Sequence, residues 1–395
     1  METTASIALM EPMLPPDGEG RLEDLALDMA TKASGLARQL PLAVQRGLGD
    51  LVRSMNCYYS NLIEGHDTHP RDIDRALSHA VFSTDARKRA LQREALAHIE
   101  VQRLIDHHQD LQAETTSLAY LVWLHREFCQ RLPEELLWVQ NPDTGERLRL
   151  TPGELRTGWV QVGQHIPPDA EALPRFLDRF AAVYDRKRGS NLRQIMALGA
   201  AHHRLLWIHP FYDGNGRVAR LMSHASLQRC GVGSSLWSVA RGVSRHVKEY
   251  KALLMAADQP RRGDLDGRGN LSLQALITFC EFFLTICIDQ IDFMASLLDS
   301  GNLLRRMRLH VEEAVQAGEL PKGSLALLRE ALLIGDVPRG RAGEITGYGE
   351  RMARTVVSEL LKKGYLKSET SRSPLTLAFP SDAVERWFPR LYPAI

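Results

Sequence analysis

The sequence predicts a mainly α-helical chain with one small β-hairpin and a C-terminal winged helix-turn-helix. Three observations carry that prediction. Apolar residues recur at spacings of three and four from Leu22 onward. Glycines punctuate short strand-like runs between residues 146 and 168. After Gly301 the pattern changes to helical runs followed by two short β runs.

Taken in order, residues 1–20 carry Pro12, Pro15, Pro16, Gly18 and Gly20 and read as a flexible tail. Residues 21–110 form an N-terminal helical region whose clearest helices are 41–64 and 85–108. The region 111–300 reads as the core, with helices over 116–131, 169–188, 191–206, 217–229 and 271–298. The hairpin is expected within 146–168, where Trp159, Val160, Gln161 and Val162 lie between glycines. In 301–395, two helical runs precede a short helix ending at Gly347, a helix over 349–363, and strands over 365–370 and 374–379.

With 44% hydrophobic and 25% charged residues over 395 positions, the chain can bury a large core, which excludes a disordered protein. Lys and Arg number 49 against 48 Asp and Glu, so no global basic charge points to a nucleic-acid coat or a polybasic membrane surface. Five irregularly spaced cysteines with no CxxC pair fit a reducing compartment and no zinc site. Glu2 and the short apolar stretch 5–10 lack the layout of a signal peptide, and Glu281, Asp289 and Asp292 interrupt the most apolar long segment, 279–298. A cytoplasmic protein without membrane association is therefore expected.

The most informative stretch is Ile208 to Arg220, IHPFYDGNGRVAR, between two helices. Gly214 and Gly216 flank Asn215 directly before a helix, where backbone N–H groups and the helix N-terminus favour an anion such as phosphate. Arg217 and Arg220 are three residues apart, so they share a helix face and can converge on one polyphosphate. Asp213 offers the hard oxygen that Mg²⁺ accepts when substrate phosphates complete its shell. His209, four residues upstream of Asp213, titrates near neutrality and can take a proton from an incoming hydroxyl. Phe211 reads as the anchor of the loop in the core.

His209 to Arg220 resembles the motif of Fic-domain proteins, His-x-Phe-x-Asp/Glu-Gly-Asn-Gly-Arg-x-x-Arg, with every defining position present. The resemblance implies a Fic-type helical bundle in which His209 is the general base, Asp213 holds Mg²⁺, and Gly214, Asn215, Gly216, Arg217 and Arg220 bind the phosphates of ATP. It implies transfer of AMP to a Tyr, Ser or Thr hydroxyl of a target protein, self-modification included, with release of pyrophosphate. Gly216 stands where the kinase-like members of the Doc toxin type carry a bulkier residue, which favours AMP transfer over phosphate transfer. The segment GELRTGWVQVGQHIPP is similar to the family's flap, the hairpin that holds the target by strand pairing through Trp159, Val160, Gln161 and Val162. Tyr250 resembles a family position near the adenine.

Upstream, Leu48, Leu51, Val52, Met55, Tyr59 and Leu62 form one apolar helical stripe, with Ser60 and Glu64 on the other face. Glu64 sits in the last turn before Gly65, a natural C-cap, where its charge meets the negative helix end and calls for a cation. Ser60 to Gly65, SNLIEG, resembles the Fic inhibitory motif Ser/Thr-x-x-x-Glu-Gly/Asn, in the class whose inhibitory helix precedes the catalytic core. The resemblance implies that Glu64 pairs with Arg220 and occupies the arginine needed for the γ-phosphate. It also leaves open a role for Glu64 in removing AMP from a target.

From Leu303 to Ile395 there are 15 Lys plus Arg against 11 Asp plus Glu, a modest basic excess. Arg351 and Arg354 on the expected recognition helix, with Lys367 and Arg372 near the wing, point to DNA, while winged helices also dock proteins or dimerise. A nucleotide-sensing DNA-binding regulator is the competing function, and a homodimer stays open. The run DLDGRGN at 264–270 imitates a calcium loop but has Arg268 at a ligand position, so it reads as an ordinary loop.

Overall fold

The computed structural model describes residues 6–140 and 145–391, so positions 1–5 of the expected tail and the last four of the C-terminal region lie outside the described residues. In chain order the helices are α1 Gly20–Leu36, α2 Leu42–Ile63, α3 Pro70–His79, α4 Ala86–Asp106, α5 Leu118–Cys129, α6 Leu173–Val183, α7 Asn191–Ile208 and α8 Asn215–Arg229. They continue with α9 Val239–Arg245, α10 Val247–Ala257, α11 Leu273–Leu298, α12 Ser300–Gln316, α13 Ser324–Ile334, α14 Ala342–Thr346, α15 Glu350–Lys362 and α16 Ser381–Trp387. The strands are β1 Trp138–Gln140, β2 Arg147–Arg149, β3 Leu366–Lys367 and β4 Thr376–Leu377. None of the described helices is long and apolar enough to cross a membrane.

The chain divides into two compact units, one of residues to 32, 56–234 and 238–290, the other of residues 33–55, 235–237 and 291–395. In the first unit, helix starts follow local chemistry. The Asp85 carboxylate accepts from Lys88 N at 2.8 Å to begin α4, and Ser117 and Ser190 hydroxyls accept from Tyr120 N and Arg193 N to begin α5 and α7. The end of α2 is equally local: Gly65 takes φ 82°, its N–H reaches Leu62 O at 3.1 Å and the His66 N–H reaches Asn61 O at 2.9 Å, the two bonds of a Schellman cap. The core is built from Tyr120, Phe128, Phe176, Phe180, Phe211, Phe279 and Phe283, all buried. α7 packs along α8, with α5, α6 and α4 around them.

Three expectations for this unit change. The proline-rich N-terminus is packed from Met10 onward: Met10 and Met13 are buried, the Arg204 guanidinium donates to Pro12 O at 2.7 and 3.1 Å, the Tyr184 hydroxyl donates to Met13 O, and Glu11 pairs with Arg179. Main-chain carbonyls freed from regular structure by the prolines do this anchoring. The paired hairpin starts earlier than 146–168: β1 lies before that range and β2 at its beginning, with Trp138 opposite Arg149 and Gln140 opposite Arg147. Within 159–166 only a single bridge forms, Val162 with His165 across a turn at Gly163, because Trp159, Val162 and Ile166 face solvent and no partner strand covers them. Helix α6 is shorter than 169–188, starting at Leu173 and capped at Tyr184.

In the second unit, Trp387, Phe388, Leu328, Leu332, Leu360, Leu375 and Leu377 form the centre of the core. β3 and β4 pair antiparallel, Leu366 opposite Leu377, and Val337 bridges Leu375 on the other side. The strands are much shorter than 365–370 and 374–379. Between them Ser368 donates to Thr370 O and Ser373 O and spends the strand positions on a side-chain-bonded turn.

Candidate active site

The loop joining α7 to α8 carries the motif. α7 ends at Ile208, and His209 turns the chain with φ 49° and ψ 63°, a left-handed conformation that costs a non-glycine residue about 1–2 kcal/mol. Burial pushes the His209 imidazole down to about 4, the Arg156 and His165 charges push the same way, and the Leu206 carbonyl and Glu64 oppose them. The ring is therefore neutral near pH 7, the form that accepts a proton.

Beyond His209 the loop closes on itself. Asn215 Oδ1 accepts from Phe211 N at 3.0 Å and its Nδ2 donates to Phe211 O at 2.7 Å. Phe211 is fully buried and stacks flat on His125, centroids 4.0 Å apart. Asp213 is exposed, and its Oδ1 accepts from Gly214 N at 2.6 Å. Gly214 takes φ 81° as the N-cap of α8, which glycine alone adopts without strain. The Asn215 side chain thus braces the loop, and α8 opens at Gly214 with no side-chain cap on the N–H groups of its first turn.

The two arginines have different surroundings. Arg220 is buried; its Nε donates to Ser60 Oγ at 2.8 Å, and its Nη2 meets Glu64 Oε1 at 2.5 Å and Ser60 O at 3.3 Å. Burial pushes the Glu64 carboxyl up, but Arg220 and Arg217 outweigh it and hold the group below its ordinary value. Arg217, also buried, pairs with the buried Glu94 of α4, lies over the Phe128 ring, and sits 3.3 Å from His66 Nδ1. His66 Nδ1 in turn is 3.0 Å from Glu94 Oε2. The expectation that both arginines converge on one polyphosphate meets an arrangement in which each is engaged by its own carboxylate.

Tyr250 is buried, and its hydroxyl bonds His202 Nε2 at 2.8 Å while His202 Nδ1 bonds Ser223 Oγ at 2.9 Å. In the flap region, Trp159 is 57% and Val162 44% exposed, and Val160 and Gln161 lie between them. Glu94, His66, His125 and Arg156 are absent from the sequence reading. Each contacts the motif from a segment distant in sequence, and a local pattern carries no signal of such a partner. Arg156 had the nearest clue, an arginine set between the glycines of the flap-like segment.

A hard divalent cation fits the donors at Asp213, whose exposed carboxylate sits beside the N-terminus of α8. Among the described residues no cluster of three or more His, Cys, Asp or Glu could hold a metal, so substrate oxygens and water would complete the shell.

Residues 115–227, which span α5 to α8, match the Fic/DOC family model. The chain carries a Fic domain there. The protein adenylyltransferase Fic of Drosophila persimilis is 30% identical over 130 residues, 32% of this chain and 25% of the relative; that of Drosophila melanogaster is 40% identical over 79 residues, 20% and 16% of the two chains. The chain thus spans about a quarter or less of the length of these curated relatives. A Fic family protein from Desulfovibrio desulfuricans G20 superposes with a TM-score of 0.54 at 16% identity, covering 92% of this chain and 98% of that one. A Fic domain containing signaling protein from Bacteroides thetaiotaomicron gives 0.51 at 20% identity, covering 70% and 97%. At these identities the structural likeness is one of fold.

Proposed function

We propose that this protein is an autoinhibited protein adenylyltransferase. The observation that carries the reading is the meeting of three parts at one loop: a neutral histidine, the free N-terminus of α8, and an arginine occupied by Glu64. With ATP as substrate, His209 takes the proton of a Tyr, Ser or Thr hydroxyl on a target protein. The oxygen bonds to the α-phosphorus as the bond to the pyrophosphate oxygen breaks. AMP stays on the protein and pyrophosphate leaves. The first turn of α8 and Arg220 bind the phosphates, so the chain acts by positioning and by stabilising negative charge. Mg²⁺ held at Asp213 would neutralise phosphate charge when bound. The exposed apolar edge at Trp159 and Val162 supplies a docking strip for an extended target segment.

Glu64 is the inhibitor in this reading, since it holds the guanidinium that the terminal phosphate requires. The test incubates wild type, Glu64→Gly and Glu64→Gly/His209→Ala with Mg²⁺ and ATP labelled on the α-phosphate, with cell extract as target pool. Strong labelling by the single variant, weak labelling by wild type and none by the double variant is the expected result. ATP binding without any transfer of α-label by Glu64→Gly sinks the reading, and label from the γ-phosphate in its place assigns phosphate transfer.

A second reading concerns the C-terminal unit alone. On α15, Arg351, Arg354, Thr355 and Ser358 are exposed, and Lys367 and Arg372 are exposed around the β3–β4 turn. That face supports a winged-helix contact with DNA phosphates. Binding that weakens with salt and is lost in Arg351→Ala/Arg354→Ala is expected in fluorescence anisotropy with duplex DNA. No binding at low salt removes it.

A further inference from the structure

The last turn of α7 ends in carbonyls that no residue of that helix can satisfy. They are met from the flap-like segment. Arg156 Nη2 donates to Ile208 O at 3.5 Å and the His165 imidazole lies 2.7 Å from Trp207 O, while just past the helix end Arg156 Nε donates to His209 O at 2.8 Å and Arg156 N to Pro210 O at 2.9 Å. The same Arg156 side chain, 2% exposed, also donates from Nη1 to Gly158 O at 3.0 Å and from Nη2 to Pro168 O. Gly158 and Pro168 bracket the flap residues 159–167, so one guanidinium closes the neck of the flap and grips the carbonyl of the histidine that turns α7 into the loop. Among the described residues Arg156 makes no ion pair, and its side chain bonds main-chain oxygens.

We propose that Arg156 is a positioning residue that holds His209 in its left-handed conformation and locks it in register with the flap. The inference rests on the adenylyltransferase reading for its consequence, but not for its geometry. A strained backbone persists only where its surroundings over-determine it. At His209 the carbonyl is fixed by Arg156 and the amide by Leu205 O at 3.0 Å, so the imidazole is aimed from both sides. The cation also lies at the negative end of α7, where it is favoured. A lysine could not replace it, because its single compact ammonium cannot serve four carbonyls spread around a planar fork. The arrangement makes base and target strip one rigid piece: a hydroxyl presented on the flap arrives at a fixed place relative to the imidazole, which is how a distant group controls the rate of the chemical step.

The groups facing the His209 ring are Arg156 and His165 from the flap segment and Glu64 from the end of α2, with burial as the main influence. Releasing His209 from its pocket therefore moves its titration up from about 4 toward 6.5. The experiment compares Arg156→Lys with the unaltered chain by NMR titration of the His209 ring, and Arg156→Lys/Glu64→Gly with Glu64→Gly in transfer of labelled AMP. Glu154→Gln, exposed two residues before Arg156, is the control.

A higher His209 pKa, a kcat reduced by about 10²-fold, an acid limb of the pH–rate profile displaced upward, and an ATP KM within about twofold are expected. An unchanged His209 titration overturns the inference whatever the activity does, and so does a kcat equal to that of Glu64→Gly. A Glu64→Gly protein with no transfer activity counts against the proposed function instead, and the NMR comparison still decides whether Arg156 aims the histidine. If Arg156→Lys binds ATP poorly and melts early, the Arg156→Gln variant, which keeps a planar donor, separates positioning from folding: because losing the cation alone raises the His209 pKa, kcat in the Glu64→Gly background is the readout, and partial recovery over Arg156→Lys supports the inference while none overturns it.

Discussion

Arg217 and Arg220 lie one helical turn apart on α8, yet the wall that Arg217 faces and the tip that Arg220 faces are built for different purposes. Glu94 projects from the middle of α4, its side chain 3% exposed, and meets an Arg217 that is itself 7% exposed and laid over Phe128. Glu64 sits at the end of α2, inside its Schellman cap, keeps a third of its side chain in solvent, and meets Arg220 at 2.5 Å. The first pair is part of the core. The second can part without opening it, because Arg220 retains the Ser60 hydroxyl and carbonyl and the departing carboxylate has water to enter. Two arginines of one motif thus differ in how deeply their carboxylate partners are held in the core.

The largest expected effect follows from breaking the core pair. Glu94→Ala leaves Arg217 charged and buried with its principal partner gone, which costs about 3–5 kcal/mol of folding stability. Glu64→Gly removes a partly exposed charge from the negative end of a helix and changes stability by no more than about 1 kcal/mol, while it raises AMP transfer. Urea unfolding of the two variants side by side checks the contrast. Equal stability losses would mean that the two carboxylates are equivalent and that Glu64 is not a detachable piece.

A finer test uses Gly216. A methyl group there would stand 2.5 Å from Glu64 Oε1 and 3.1 Å from Arg220 Nη1. Gly216→Ala must push the carboxylate aside in the wild type, but meets no carboxylate once residue 64 is glycine. Alanine gains up to about 1 kcal/mol over glycine within a helix. The substitution is therefore expected to stabilise the Glu64→Gly background and to be neutral or destabilising in the wild type, a reversal that thermal unfolding of the four proteins reads directly. The same sign in both backgrounds would show that Glu64 does not pack against this turn.

What the sequence made legible follows the same division. His209, Asp213, Gly214 and the arginines fall within twelve residues, so their spacing alone specifies a loop and a helix start. Gly65 announced the end of α2 because a C-cap is a local event. Glu94 and His66 were invisible as partners of Arg217, since a glutamate on a helix reads as solvated until its neighbours are known. The packed N-terminus was missed because its anchors are carbonyls of Pro12 and Met13, which every residue possesses. The β1 strand of the hairpin was missed because Trp138 and Gln140 are exposed and Val139 is only half-buried, so no apolar alternation marks it.

The smallest expected effect concerns the joint between the two regions, His66, which follows Glu64 by two residues and touches the Glu94–Arg217 pair. Its bond to Glu94 raises its pKa above 6.5, burial opposes that, and the remaining neighbours that act on it are the Arg217 and Glu64 charges. A histidine with a raised folded-state pKa binds its proton more tightly when folded. Its contribution to stability is fully present below pH 6.5 and is lost as pH rises through the folded value. The Glu64 carboxyl, held low, behaves oppositely: its contribution is present above 4.5 and fades only as pH falls through the depressed value. Of the two groups, His66 is the one that titrates between these limits. The stability difference between wild type and His66→Gln is therefore expected to be largest near pH 5.5 and to shrink by pH 8.5. Because the side chain is 35% exposed, solvent screens it and the difference stays below about 1 kcal/mol. In the Glu94→Gln background the pH dependence should vanish, and if it persists unchanged the proton on His66 is held by something other than the wall that holds Arg217.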